Sequence, residues 1–430
     1  MKDYNNPIEI TIKDCTFDSI FTEWPQSLKS LTIYYCWNID FILKHLPRTL
    51  ESLKLAYCYK FIGPLENLPN LKSLLIEGCC DFNSQVDNLP DTLETLTIDA
   101  RLFDQSLNNL PKNLQSLIIS SSTFDHPLDN LPKGLKSLKV WCKIFNQPLN
   151  HLPGTLESLK IHFCELFNQP LNHLPPTLQS LKISKTKFNH FMDNLPKTLK
   201  LLTMKYCDEF DKPLDRLPET LFSLTLVCNN FSQPINDLPG TLELLHLNSK
   251  IFNHQINCLP KNMKSLSIWS NKFNQPLNNL PTQLQSLTLQ FCFDFNQSVD
   301  NLPKTLQLLT ISCWDFDQSV DNLPISLQSL KFQGSKFNKP IDNLPKTLQS
   351  LELYHCHNFN QSVDNLPITL KSLKIISDKF DKSLNELYQL ETLEIASYRF
   401  SQKISDKLSI SQNIKGIYLI KNKQFYLSKN

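Results

Sequence analysis

The sequence predicts an α/β-class solenoid: short parallel strands stacked into a curved horseshoe, with the sheet on its concave face. Three observations carry that expectation. The dipeptide Leu-Pro returns every 21 or 22 residues, from Leu46-Pro47 through Leu131-Pro132 to Leu366-Pro367. Each copy is followed by a trio of aliphatic residues in a fixed frame, such as Leu135, Leu138 and Val140. A phenylalanine then stands eight residues ahead of nearly every following anchor proline. A period of this length means small units that each contact only their neighbours, not a globule built around one pocket.

Along the chain, residues 1–16 come first as an N-terminal capping segment, with Ile8 to Ile12 alternating as a strand does. The array of about 18 repeats spans 17–400, and Tyr388 takes the anchor place in one copy where proline is absent. Within each repeat the last two residues of the aliphatic trio alternate and face one side of a short strand. Strands stacked at matching positions pair in parallel. The phenylalanines, Phe17, Phe61, Phe82, Phe103 and onward to Phe380, form a file behind the sheet; Ile39 takes that place in one copy. A second apolar residue follows four positions before the proline, as in Leu149, Leu171 and Val299. The Asn-Gln-Pro or Asp-Gln-Ser between them is too short and too rich in turn formers for a regular helix. The convex side is therefore expected to be extended or 3₁₀ backbone with little α-helix. The Asn or Asp after each phenylalanine is positioned to bond to backbone groups of the turns. Residues 401–430 form a C-terminal capping segment, in which Ile414, Ile417 and Leu419 repeat the alternation.

Unit length has its own pattern. Units starting at Pro25, Pro47, Pro153, Pro196, Pro281 and Pro345 have 22 residues, and each carries cysteine eleven positions after the proline, at Cys36, Cys58, Cys164, Cys207, Cys292 and Cys356. The extra residue belongs between strand and phenylalanine, with cysteine a small buried hydrophobe at the strand's exit. No Cys-x-x-Cys spacing or histidine partner accompanies these thiols, so no metal site is expected.

Bulk composition narrows the function classes. Lysine plus arginine number 43 against 41 acidic residues, a net charge of +2, which gives no global reason to seek nucleic acid or acidic lipid. No stretch is long and apolar enough for a membrane span, and the N-terminal residues carry no apolar h-region of a secretory signal. The 13 cysteines are odd in number and follow the repeat, which reads as free thiols in a reducing, cytoplasmic setting.

The frame Leu-Pro-x-x-Leu-x-x-Leu-x-(Ile/Leu) resembles leucine-rich repeats, with Cys36, Cys58 and Cys164 where that family has Asn or Cys. The segments Phe145–Asn150, Phe167–Asn172 and Phe273–Asn278, all Phe-Asn-Gln-Pro-Leu-Asn, resemble the FNIP repeat of social amoebae. The resemblance covers 17–400. It implies a non-enzymatic scaffold that binds another protein, and it brings no reaction, catalytic residue or cofactor.

A partner's place is sought on the concave face, where the residues flanking the last strand aliphatic look out. There Lys139, Trp141, Lys160, His162, Phe163 and Lys182 make the densest aromatic and basic cluster, and Trp269 with Phe291 makes a second anchor. Such side chains suit an acidic or aromatic protein surface. The plainer reading is that aromatics favour strands and lysines favour solvent. The recurrent serines, such as Ser137, Ser158 and Ser180, have no histidine in register and no strained elbow, so they read as structural. Asp129, Asp193, Asp321 and Asp364 read as turn formers. The leading function is thus protein binding on the concave sheet; the alternative is a structural or self-associating repeat protein without a partner pocket.

Overall fold

A computed structural model describes residues 8–16, 24–63, 65, 68–384, 387, 389–397, 416–421 and 424–427. Phe17, Tyr388 and Ile414 lie outside the described residues. The chain forms two compact units, 1–210 and 211–430. Unit 1 holds β1 (Glu9–Lys13), β2 (Ser30–Tyr34), α1 (Asp40–Leu43), β3 (Ser52–Ala56), β4 (Ser73–Glu77) and β5 (Thr95–Asp99). It continues with β6 (Ser116–Ser121), β7 (Ser137–Cys142), β8 (Ser158–His162), β9 (Ser180–Ser184) and β10 (Leu201–Lys205). Unit 2 holds β11 (Ser223–Val227), β12 (Leu244–Asn248), β13 (Ser265–Trp269), β14 (Ser286–Gln290), β15 (Leu308–Ser312) and β16 (Ser329–Gln333). It ends with β17 (Ser350–Tyr354), β18 (Ser372–Ile376), β19 (Thr392–Ala396), β20 (Gly416–Lys421) and β21 (Gln424–Leu427).

Within each unit successive strands pair in parallel and in repeat register: Leu138 faces Leu159, Leu159 faces Leu181, and Leu266 faces Leu287. The exception is the hairpin-like end, where β21 runs antiparallel to β20. The architecture is thus the parallel β-sheet solenoid expected, with almost no helix among the described residues. The four-residue α1 falls in the repeat where Ile39 replaces phenylalanine.

Each repeat closes on the same few contacts. The anchor proline's carbonyl accepts from the amide three residues on, as in Leu156 N–H to Pro153 O at 3.0 Å. That turn tips Leu156 inward and starts the strand, whose second and fourth residues are fully buried, for example Leu159 and Ile161. The phenylalanines form a continuous stack within each unit: Phe145–Phe167 at 6.1 Å, Phe167–Phe188 at 6.5 Å, Phe273–Phe295 at 6.1 Å. Parallel strands sit about 4.8 Å apart, so the phenylalanine side of each repeat is its wider side. Stacked rings of this size carry both buried area and favourable offset geometry.

The crossing behind the sheet is extended backbone and turns, satisfied by two ladders. The residue after each phenylalanine accepts from the matching amide of the next repeat: Asn146 Oδ1 from Asn168 N–H at 2.9 Å, Asn168 Oδ1 from Asn189 N–H at 3.0 Å. Threonines two residues after the anchor proline form the other, Thr177 Oγ1 donating to Leu156 O at 2.8 Å and Thr198 Oγ1 to Leu178 O at 2.8 Å. Such residues meet the requirement that backbone groups outside the strand ladder find partners.

The extra residue of the longer units is the one directly before the cysteine, and it is held at positive φ: Tyr35, Tyr57, Phe163, Tyr206, Phe291 and His355, with Gly78 in the same place before Cys79. The left-handed residue widens the bend so that cysteine still points inward. Its thiol then donates to the strand carbonyl of the preceding repeat, Cys164 Sγ to Val140 O at 3.5 Å. Cys142 and Cys313 make the same contact in shorter units, to Ile119 O and Leu289 O, whereas the buried Ser121, Ser249 and Ser270 donate instead to the carbonyl of the preceding repeat's phenylalanine, as in Ser270 Oγ to Phe252 O at 2.7 Å.

Candidate functional site

The sheet face turned away from the core carries Lys139, Trp141, Lys160, His162, Lys182 and Trp269, while Phe163 and Phe291 stand in the left-handed bends just after β8 and β14. On β6 to β9 it is laid out in three rows set by the pairing register. The first strand residues give a row of small hydroxyls, Ser116, Ser137, Ser158 and Ser180. The third residues give Ile118, Lys139, Lys160 and Lys182, so three lysines stand on adjacent strands. The fifth give Ser120, Trp141, His162 and Ser184.

Around Trp141 the side chains interlock. Its ring lies 5.2 Å from Phe163 in a stacked pose and 5.1 Å from His162 edge to face. The Lys139 ammonium sits 4.8 Å from the Trp141 ring centre, and that of Lys185 sits 3.7 Å from the Phe163 ring centre. Both are cation–π contacts. His162 Nδ1 is hydrogen-bonded to Ser184 Oγ. Trp141 remains 39% exposed despite these neighbours. It and Phe163 wall an open depression of about 280 Å³ that also touches Asp99, Arg101, Lys143 and Glu165.

The lysine row is electrostatically uncomfortable. Burial pushes the Lys139 pKa down and Lys160 pushes it further; Asp99 opposes them, by more than the remaining downward push of Lys182. His162 is likewise held below its usual value by burial first, then by Lys182, Lys139 and Lys185. At the same third position of other strands, lysines are matched by carboxylates on the next strand: Lys54–Glu77 at 2.9 Å, Lys331–Glu352 at 2.9 Å and Lys374–Glu394 at 2.8 Å. Among the described residues no carboxylate pairs with Lys139, Lys160 or Lys182. The mutual repulsion is therefore relieved by no ion pair and only in part by Asp99 near Lys139.

The second group also forms a contact. Trp269 and Phe291 meet edge to face at 5.8 Å, and His246 joins Trp269 at 5.1 Å. The buried Trp269 indole N–H has no hydrogen-bond partner. No row of like charge runs beside it.

Several surface residues were not visible as a pattern in the sequence. Tyr35 stacks on Tyr57 at 5.1 Å, and Trp37 on Tyr59 at 4.5 Å, all four exposed. Lys185 joins the basic cluster from a left-handed bend. The missed signal is the residue before each ladder cysteine, which is aromatic at Tyr35, Tyr57, Phe163, Tyr206 and Phe291.

All 13 cysteines are free thiols, and most are buried. Burial raises the Cys164 pKa to about 12 and the Cys356 pKa to about 11, which suits inert packing rather than nucleophilic chemistry. Among the described residues no group of three or more His, Cys, Asp or Glu side chains is arranged to hold a metal ion. The turn carboxylates serve the backbone crossing: Ser319 Oγ donates to Asp321 Oδ2 at 2.7 Å, and Asn343 Nδ2 donates to Asp321 Oδ1 at 3.1 Å. Among the described residues no helix is long and apolar enough to cross a membrane.

Comparison with known proteins agrees with the fold. The FNIP Repeat family model matches residues 316–355. No curated protein matches the chain. Among solved structures, the circular leucine-rich-repeat protein CroV588 is 25% identical with a TM-score of 0.71, over 96% of this chain and 70% of that one. YopM from Yersinia enterocolitica is 18% identical with a TM-score of 0.53, over 96% of this chain and 91% of that one. The Toll–Spätzle complex of Drosophila gives 14% identity and a TM-score of 0.52, over 95% of this chain and 62% of that one. The chain is thus a leucine-rich-repeat-like parallel β-solenoid with an FNIP-repeat region at 316–355.

Proposed function

We propose that the protein is a non-enzymatic scaffold that binds a partner protein on the open face of its sheet, at the cluster on β7 to β9. The observation that carries this reading is a row of three lysines without ion-pair partners beside the exposed Trp141, which stacks on Phe163. Fixed strands hold Trp141, Phe163 and the lysines in place before any partner arrives, so little ordering is needed on binding. Aromatic anchors flanked by cations are the residues from which interface hot spots are made. Toll, a protein of the same fold, is described in complex with Spätzle, which lends support of a general kind. The Phe-Asn-Gln frames outside 316–355 support assigning the whole array to the FNIP type, and the free thiols support a reducing, cytoplasmic setting.

The test is affinity capture with the intact chain and with a Trp141→Ala/Lys160→Ala double variant. Both side chains are exposed, so the variant is expected to fold. A partner retained by the intact chain and lost by the variant supports the reading. A partner held with unchanged affinity by both removes this patch as the site. Sedimentation of the isolated protein checks the alternative, in which the chain binds only itself.

A further inference from the structure

The spacing and chemistry of the lysine row constrain what sits on it. Lys139, Lys160 and Lys182 are directly paired across β7, β8 and β9. With strands about 4.8 Å apart, the outer two are separated by roughly 9.6 Å along the stacking direction. A helix rises about 1.5 Å per residue, so its positions i, i+4 and i+7 span about 10.5 Å on one face. An extended chain puts three same-face residues across roughly 13 Å, which overshoots the row. The relief of the face matters too. The row is bordered on one side by the small hydroxyls of Ser137, Ser158 and Ser180, and on the other by the tall Trp141–Phe163 wall.

Building on the proposed protein-binding reading, we propose that this channel takes an acidic α-helical segment of the partner. The segment lies along the strand-stacking direction, with carboxylates at i, i+4 and i+7 on the lysine row and an aliphatic flank against Trp141 and Phe163. Charge complementarity selects the acid: three ammonium groups without ion-pair partners are offered where Lys54, Lys331 and Lys374, at the same strand position, have carboxylates.

Fluorescence anisotropy with labelled synthetic probes tests this on the full chain. One probe is an alanine-rich helix with glutamate at i, i+4 and i+7 and leucine beside them. The second has the same composition with the glutamates scrambled around the helix, and the third carries a central proline that breaks it. The fourth is a single-stranded oligonucleotide of equal charge. The first probe is expected to bind, and to weaken at least about tenfold in Lys160→Glu, in Lys182→Glu, and when either the stripe or the helix is lost. Equal binding of the striped, scrambled and broken peptides overturns the inference, as does binding of the oligonucleotide alone or of none of the probes. If the peptides fail while a captured partner is still lost in the Trp141/Lys160 variant, the helix inference falls and the protein-binding reading stands.

Discussion

Gly78 packs against the Tyr57 ring with no room for a side chain. A Cβ at Gly78 would lie 2.5 Å from the Tyr57 ring, and Gly78 also holds a φ of +63°. Gly154, by contrast, has open space where its Cβ would be. Gly78→Ala is therefore expected to destabilise by about 1–3 kcal/mol, while Gly154→Ala stays close to neutral; urea denaturation of both variants reads the difference. The thiols separate in the same way. Cys80 and Cys258 are exposed and the ladder cysteines are buried, so alkylation of the native protein followed by mass spectrometry should label those two first. Fast labelling of Cys142 or Cys164 would contradict the buried rung. His162 supplies a pH dependence. Its pKa is depressed in the folded state by burial and by Lys182, Lys139 and Lys185, so the unfolded chain takes up the proton first. Its contribution is complete above the ordinary histidine pKa of about 6.5 and is lost as pH falls through the lower folded value. His162→Gln should flatten the fall in melting temperature with acidification over that window.

Elements in this protein are repeated contacts rather than independent pieces. Phe167 stacks between Phe145 and Phe188 with no exposed surface, and Phe167→Ala is expected to cost about 3–5 kcal/mol through lost area and a residual cavity. Asn168→Ala instead removes the side-chain acceptor of the exposed Asn189 amide hydrogen bond, at a cost of about 0.5–1.5 kcal/mol; the two variants can be ranked in one denaturant series. Strand, file and crossing were legible in the sequence because each repeats a chemical type at a fixed offset: Leu138 and Val140 alternate, Phe145 returns as Phe167, Asn146 as Asn168. The threonine ladder of Thr155, Thr177 and Thr198 was equally periodic but carries no hydrophobic signal, so it stayed hidden until its carbonyl partners were seen. The left-handed bend at Phe163 was legible only as an extra residue. Its conformation follows from how Cys164 must reach the rung, a three-dimensional constraint. Lys185 escaped notice for the same reason, since its place above Phe163 comes from a bend and not from the strand's alternation. α1 was invisible because it occurs in a single repeat, the one in which Ile39 stands for phenylalanine, and so breaks no pattern that recurs.

At the scale of the molecule, no repeat is complete without a neighbour, because its strand, its ring and its amides all find partners one repeat away. Stability is therefore expected to be a sum of neighbour terms within each unit, and the structural side chains are used up in that stacking. What remains free for function is the open face, where side chains vary from repeat to repeat while the frame does not. The account rests on the claim that partners engage this face at β7 to β9. Hydroxyl-radical footprinting of the captured complex tests it most directly, because Trp141 is 39% exposed and Phe191, on the crossing behind the sheet, is 55% exposed in the free chain. The account predicts that Trp141 and Phe163 are protected on binding while Phe191 keeps its reactivity. Protection of Phe191 with Trp141 still fully reactive would contradict it.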